Sequence, residues 1–380
     1  MIEVANRLKQ VEEYYFSKKL REVALLKAQG KPIINLGIGS PDLAPSTKAI
    51  TALTESLEDA NAHKYQSYQG LPELKDQISN FYKTHFKVNV NPQTEVLPLM
   101  GSKEGIMHIS MAFLNKGDEV LVPNPGYPTY SSVTKLLEAK PVYYNLKETN
   151  NWQPDFNALE QLDLSNVKLM WVNYPHMPTG TNATSQFYKD VIAFGKRHNI
   201  LIINDNPYSF VLNDNPISIL DFDEAKDVCL ELNSLSKTFN MAGWRVGMLL
   251  GNADYINAVL KVKSNMDSGM FYGIQKGAIE ALKSSEDWFL SLNKTYKKRR
   301  NLIWLLAEKL NCKYNKNATG LFVWAKIPEG KTSEELTDSV LYDTSIFITP
   351  GTVFGSNGEG YVRFSLCATE KLIKEAIARV

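Results

Sequence analysis

Residues 234–251 read Ser-Leu-Ser-Lys-Thr-Phe-Asn-Met-Ala-Gly-Trp-Arg-Val-Gly-Met-Leu-Leu-Gly. Lys237 follows an apolar, strand-like run (Val228, Cys229, Leu230, Leu232) and two small hydroxyl residues, Ser234 and Ser236. Eight residues on, Arg245 opens a second apolar run over residues 246–250. Two serines and an arginine can hold a dianionic phosphate through charge-assisted hydrogen bonds. A lysine beside another cation gives up its proton more readily, which frees the amine as a nucleophile. A phosphate anchor next to a nucleophilic lysine suggests a Schiff base to pyridoxal phosphate. The plainer reading is a surface lysine in a turn, and the stretch alone does not separate the two.

Working outward, apolar runs at 96–100, 119–122, 141–144, 167–172, 200–203, 228–232 and 244–250 alternate with helix-length stretches such as 103–114, 130–139 and 186–198. This alternation predicts a doubly wound α/β sheet, whose ligands gather beyond the carboxyl ends of its strands. After the first run comes Gly101-Ser102-Lys103-Glu104-Gly105, a turn into a helix whose free amides and serine hydroxyl can seat an anion. After the second comes Pro123-Asn124-Pro125-Gly126-Tyr127-Pro128-Thr129-Tyr130, a rigid turn presenting an aromatic ring to a flat heterocycle. Asn173-Tyr174-Pro175-His176-Met177-Pro178-Thr179-Gly180 ends the run at 167–172, and Asp205 and Tyr208 follow the run at 200–203. A carboxylate behind an apolar run needs a partner, and a protonated pyridine nitrogen would serve. Each feature taken singly is also consistent with a capped helix, a packed tyrosine or a turn aspartate. Their recurrence at successive strand ends favours one shared site.

The stretch 234–247 closely resembles the lysine signature of the class I/II aminotransferases, fold type I of the pyridoxal-phosphate-dependent enzymes, and the likeness runs from about residue 33 onward. The resemblance implies a large, mostly parallel, seven-stranded sheet domain over 45–270. A small α+β domain would join 1–44 to 271–380. It implies that Lys237 forms the Schiff base, Asp205 pairs with the pyridine nitrogen and Tyr208 bonds the cofactor's phenolic oxygen. Tyr127 would stack on the ring, with Asn173 nearby. Ser102, Lys103 (by its amide), Ser234, Ser236 and Arg245 would take the phosphate. Tyr65, in Lys64-Tyr65-Gln66-Ser67-Tyr68-Gln69-Gly70, matches a tyrosine that reaches the other subunit's phosphate, so a homodimer with shared sites is implied. In Gly360-Tyr361-Val362-Arg363-Phe364-Ser365-Leu366, Arg363 resembles the arginine that holds a substrate α-carboxylate, and Gly39 matches a glycine beside it. Arginine can grip a carboxylate with two parallel hydrogen bonds, which lysine cannot reproduce.

One position departs from the family. Its Asn-Pro-Thr-Gly motif places a donor against the phenolic oxygen, whereas here the position is Met177, which cannot donate. Loss of that donor should keep the lysine–cofactor imine protonated to higher pH. Residues 101–105 and 263–269 resemble the LL-diaminopimelate aminotransferase-like subgroup. No second arginine stands out for a distal carboxylate, and Phe271 and Tyr272 would tolerate neutral or aromatic side chains. The expected reaction is amino transfer between an L-amino acid and a 2-oxo acid, with 2-oxoglutarate as acceptor. The alternative is a carbon–sulfur β-lyase on the same scaffold.

Composition bounds the rest. The chain has 380 residues, 44% of them hydrophobic, and a formal net charge of +1. That length supports more than one core, and that balance argues against nucleic acid as the main partner. Five histidines and three scattered cysteines show no metal-ligand spacing, so no metal is expected. No apolar run approaches the roughly 20 residues of a membrane span, and the sparse cysteines fit a reducing cytoplasm. Residues 4–30 read as one amphipathic helix closed by Gly30. Gly37-Ile38-Gly39-Ser40-Pro41 is a poor dinucleotide motif, because Pro41 blocks the helix such a site needs.

Overall fold

The computed structural model describes residues 2–380. Its principal sheet has seven strands: β2 (Val96–Leu99), β3 (Glu119–Asn124), β4 (Lys140–Asn145), β5 (Val167–Val172), β6 (Leu201–Asp205), β7 (Cys229–Ser234) and β8 (Gly247–Gly251). They lie in the order β2-β8-β7-β6-β5-β3-β4. Only β8 runs against its neighbours, pairing antiparallel with both β2 and β7. A short strand, β1 (Ile34–Asn35), precedes this sheet in the chain.

The unbroken apolar runs follow from burial on both faces. Val120, Val122, Leu169, Trp171, Ile203, Leu230 and Leu232 point to one core, where the helices Ser102–Phe113 and Ala253–Lys263 pack. The intervening Leu121, Met170, Val172, Ile202 and Cys229 point to the other core, with the helix Ser185–His198. That helix shows how locally these elements are specified. Thr184 accepts from the Phe187 amide at its start, three basic residues fill its last turn, and Asn199 closes it in the left-handed conformation.

The C-terminal part builds a second sheet from β9 (Lys313–Tyr314), β10 (Phe322–Lys326), β12 (Thr349–Pro350) and β13 (Tyr361–Ser365), in the order β12-β13-β10-β9. Between them, β11 (Ile346–Phe347) pairs in parallel with β1 and carries the chain's early residues to this sheet. The 24-residue helix Glu286–Lys309 packs on β10 and on the C-terminal helix Glu370–Arg379. The helix Tyr272–Leu282 instead packs on Thr47–Glu55 and Pro72–Phe86.

The N-terminal expectation needs correction. Residues 4–30 are not one helix: a 3-10 turn, Asn6–Gln10, is followed by an α-helix only over Tyr15–Ala28. Leu8 remains 49% exposed, so a continuous helix would bury little at its start. The break lets Tyr14 and Phe16 enter the interior, and that packing overrides local periodicity.

Candidate active site

Six strands of the principal sheet end at one edge, and β8, being antiparallel, begins there. Residues after strands β2, β3, β5, β6 and β7, and the residue shortly before β8, therefore meet. They line a cavity of about 410 Å³ that also takes in residues 14–20, the 38–40 loop, β10 and β13. Ser102, Lys103, Tyr127, Asn173, Asp205, Tyr208, Ser234, Ser236, Lys237, Arg245, Gly39 and Arg363 all lie on its wall. Tyr65 does not: it is 90% exposed in the loop after residue 59.

Asp205 ends β6, buried among apolar strands. Burial raises its carboxyl to about 7, against the opposing hydrogen bond from Tyr130. The Tyr130 hydroxyl donates to Oδ2 at 2.8 Å, while Oδ1 is buried without a partner. Tyr130 is itself held flat against Trp171, with ring centroids 4.8 Å apart. A single carboxylate oxygen is thus left for a ligand that can donate to it.

Lys237 sits in the short helix Leu235–Thr238, just past β7. Burial lowers the basicity of its amine, and the positive charges of Arg363 and Arg245 push the same way. Its Nζ donates to the Gly39 carbonyl at 2.5 Å. Arg363, on β13, is buried and held by Gly37 O (2.7 Å from Nη2) and by the Met177 sulfur (3.4 Å from Nη1). Its guanidinium carbon stands 3.9 Å from the centre of the Phe322 ring, 4.6 Å from Phe354 and 5.5 Å from Phe16. Burial lowers its pKa to about 10, and its Nε has no partner.

At the opposite side, the helix Ser102–Phe113 begins behind Gly101, whose φ of +95° suits glycine. A Cβ on Gly101 would stand 2.3 Å from Arg245 Nη2. Arg245 also has positive φ and is anchored by the Ala242 carbonyl at 2.9 Å. Ser234 and Ser236 are buried beside this helix start. Gly101→Ala is expected to cost about 1–3 kcal/mol of stability through its backbone and to displace Arg245. A titration of the cofactor-free protein should then show about tenfold weaker phosphate-cofactor affinity. Unchanged affinity would refute this coupling.

Asn173 is a brace for the strand ends. Its side chain donates to the Asp205 carbonyl and accepts from the Met177 amide at 2.9 Å, so both ends of the amide are engaged. Met177 is buried and presents only a thioether. His176 offers no substitute donor: it hydrogen-bonds Thr179, burial lowers it to about 3, and it lies outside the cavity wall. Burial raises the phenols of Tyr127 and Tyr208, so both remain protonated donors at neutral pH.

Four aromatic wall residues escaped the sequence reading, along with Leu20, Ile38, Ser40, Pro207 and Ala242. Tyr130 lay in the quoted turn, three residues past Tyr127, but nothing local marks it as the partner of Asp205. Tyr14, Phe16 and Phe322 carry no local signal, since only tertiary packing brings both chain ends here.

The arrangement fits pyridoxal phosphate. The orphan Asp205 oxygen suits a ring nitrogen that carries a proton, and the helix start with Arg245 suits a phosphate. Comparison with known proteins agrees. The chain matches the family "Aminotransferase class I and II" over residues 31–380. It is 39% identical to an LL-diaminopimelate aminotransferase of Dehalococcoides mccartyi, covering 100% of this chain and 98% of that protein. Its identity to the Halothermothrix orenii protein of the same name is 40%, with the same coverage. Apo-BacF from Bacillus subtilis superposes with a TM-score of 0.95 at 38% identity, covering 100% of this chain and 98% of that one. These relatives do not favour the lyase alternative. The chain belongs to the class I and II aminotransferases, fold type I enzymes that work with pyridoxal phosphate.

Proposed function

We propose that this cavity moves an amino group from an L-amino acid to a 2-oxo acid, with Lys237 as the proton carrier. The observation that carries this is a lysine of lowered basicity sharing one cavity with a buried acid and a buried arginine. Pyridoxal phosphate, when bound, supplies an aldehyde to capture the amine and a ring that accepts the electron pair left at the α-carbon. Lys237 Nζ, its basicity lowered by burial, removes the substrate's α-proton and returns it on the other side of the reaction. Asp205, as a carboxylate, holds the ring nitrogen protonated, and Tyr130 fixes the carboxylate's orientation. Tyr208 donates to the phenolic oxygen, Tyr127 lies against the ring and Asn173 braces the strand ends around it. Ser102, the Lys103 amide, Ser234, Ser236 and Arg245 hold the phosphate. Arg363 takes the α-carboxylate, with Gly39 beside it, and its aromatic surroundings strengthen the ion pair by excluding water.

The same reading includes a cytoplasmic homodimer. Tyr65, Met266 and Phe271 are exposed by 90%, 56% and 41%, on segments beside one another at Gly269 and Gln66. A second copy of the chain would cover them and bring Tyr65 to its phosphate. The three cysteines are unpaired, and no described helix is long and apolar enough to cross a membrane. We divide the chain into a large cofactor-binding domain and a small domain, read at 45–270 against 1–44 and 271–380. The packing of Tyr272–Leu282 on Thr47–Glu55 supports moving the second boundary past Leu282.

The test is an absorption spectrum of the purified holoenzyme with amino acids added one at a time. LL-diaminopimelate heads the panel because of the relatives' names, and large neutral amino acids follow because Phe16, Ile38 and Phe322 line the cavity. Conversion of the visible-edge band, and its return with 2-oxoglutarate, is expected for at least one donor. A band that no donor converts would overturn the reading. Met177→Asn, which restores a donor, should shift the pH midpoint of that band downward by about one unit, the size of one added hydrogen bond. A midpoint unmoved or raised would sink the role given to this position.

A further inference from the structure

Two carbonyls of one loop hold the two functional cations. Gly37 O accepts from Arg363 Nη2 at 2.7 Å, and Gly39 O accepts from Lys237 Nζ at 2.5 Å. Backbone alone gives such a loop little stiffness, so its anchors decide how well the carbonyls stay aimed. At its start, Asn35 Oδ1 accepts from the Gly37 and Ile38 amides at 3.0 and 3.2 Å. Inside it, Gly37 and Gly39 lie so close to Phe347 and Phe322 that added Cβ atoms would stand 2.7 and 2.3 Å from those rings. At its far end Asp42 meets Arg299, from the helix Glu286–Lys309, in a two-point ion pair of 2.6 and 2.9 Å. The Arg299 side chain is only 4% exposed. Its Nη1 also donates to the Leu366 carbonyl at 3.1 Å, one residue beyond β13, the strand that carries Arg363.

We propose that Asp42 and Arg299 form a clasp that fixes the 37–42 loop to the arginine strand and thereby sets how Arg363 is presented to a substrate carboxylate. Arg299 is a positioning residue: it grips the loop with one edge and the end of β13 with the same nitrogen. The two partners of the carbonyl-to-guanidinium contact, Gly37 and Arg363, thus share one anchor. A planar guanidinium can do this because it offers several donors in a fixed fork; an ammonium at the same place cannot meet both carboxylate oxygens and the carbonyl in one geometry. When Asp42 loses its charge, the loop keeps its starting anchor but loses its far one. Gly37 O stays held by the Thr349 hydroxyl at 3.0 Å, but the far end of the loop and the Leu366 end of β13 loosen together, and Arg363 spends part of its time turned from the orientation that donates two parallel hydrogen bonds.

This inference rests on the reading of Arg363 as the carboxylate anchor, and the experiment separates the two. Asp42→Asn, Arg299→Lys and Arg363→Lys holoenzymes are compared using the best donor of the amino acid panel and its α-decarboxylated amine. The readout is the ratio of their kcat/KM values. An amine without an α-carboxylate does not use Arg363, so general damage lowers both numbers and leaves the ratio alone. The clasp predicts that the ratio falls about tenfold in Asp42→Asn, within the range a sub-ångström misplacement produces. The fall should appear mainly as a raised KM for the amino acid, with Arg299→Lys intermediate. Asp42→Asn is close in shape to the parent and tests the clasp even if Arg299→Lys does not fold. A ratio unchanged in Asp42→Asn while Arg363→Lys collapses it overturns the clasp. A ratio unchanged in Arg363→Lys overturns the carboxylate anchor and the clasp with it.

Discussion

Turnover in Lys237→Ala is expected to fall by about 10⁴-fold, the upper end of what a single positioned acid–base group contributes. Lys237 is the cavity's lysine beside both Gly39 and the Asp205 strand end, and burial with two neighbouring arginines keeps its amine available. Lys103, also on the wall, sits over the Tyr14 ring at 4.5 Å in the first turn of the helix Ser102–Phe113, so it is not placed to take over. The fold should survive, because Lys237 makes a single hydrogen bond, to a backbone carbonyl. The measurement is single-turnover conversion of a donor, followed by absorbance, with and without added small primary amines. Partial recovery with added amine would identify the missing function as proton transfer. Retention of turnover within tenfold of the parent enzyme would refute the assignment.

Asp205→Asn should act in opposite directions on stability and on catalysis. In the cofactor-free protein the carboxyl is raised to about 7 from an ordinary 3.8. A carboxyl whose folded pKa is raised binds its proton more tightly in the folded chain than in the unfolded one. It therefore opposes folding above about pH 7, and that opposition fades as pH falls from 7 towards 4. The gap, at about 1.36 kcal/mol per pH unit, bounds the effect at about 4 kcal/mol. At pH 8 the cofactor-free Asp205→Asn protein should thus melt higher than its parent, and the difference should shrink at pH 5. With cofactor present the order reverses in function: loss of the counter-charge to the ring nitrogen should lower kcat about a hundredfold or more. A cofactor-free variant that melts lower at pH 8 would show that Asp205 is not strained by burial. Full activity would show that it does not serve the ring.

Much of the site is legible in the amino-acid sequence because strand ends are chemically marked. Asp205, Ser234, Lys237 and the Gly101-Ser102 turn each follow an apolar run, and local periodicity locates such runs well. The same periodicity misjudged residues 4–30, where the entry of Tyr14 and Phe16 into the cavity breaks the helix. It also could not find Tyr130 as the partner of Asp205, although the residue stood in view, because a hydrogen bond across 75 residues leaves no local trace.

By itself the amino-acid sequence determined the α/β class, the family, the lysine and the set of chemistry-bearing residues, since these depend on residue type and short-range order. Only the tertiary structure decided how they meet. Arg245 precedes its strand and would lie at the wrong edge of an all-parallel sheet; the reversed direction of β8 brings it to the others. Arg363 and Gly39 stand far apart in the chain and meet because β1 and β11 pair and β13 lies beside β10. Strand direction and long-range pairing follow from burial summed over the whole sheet, which no single stretch of sequence contains.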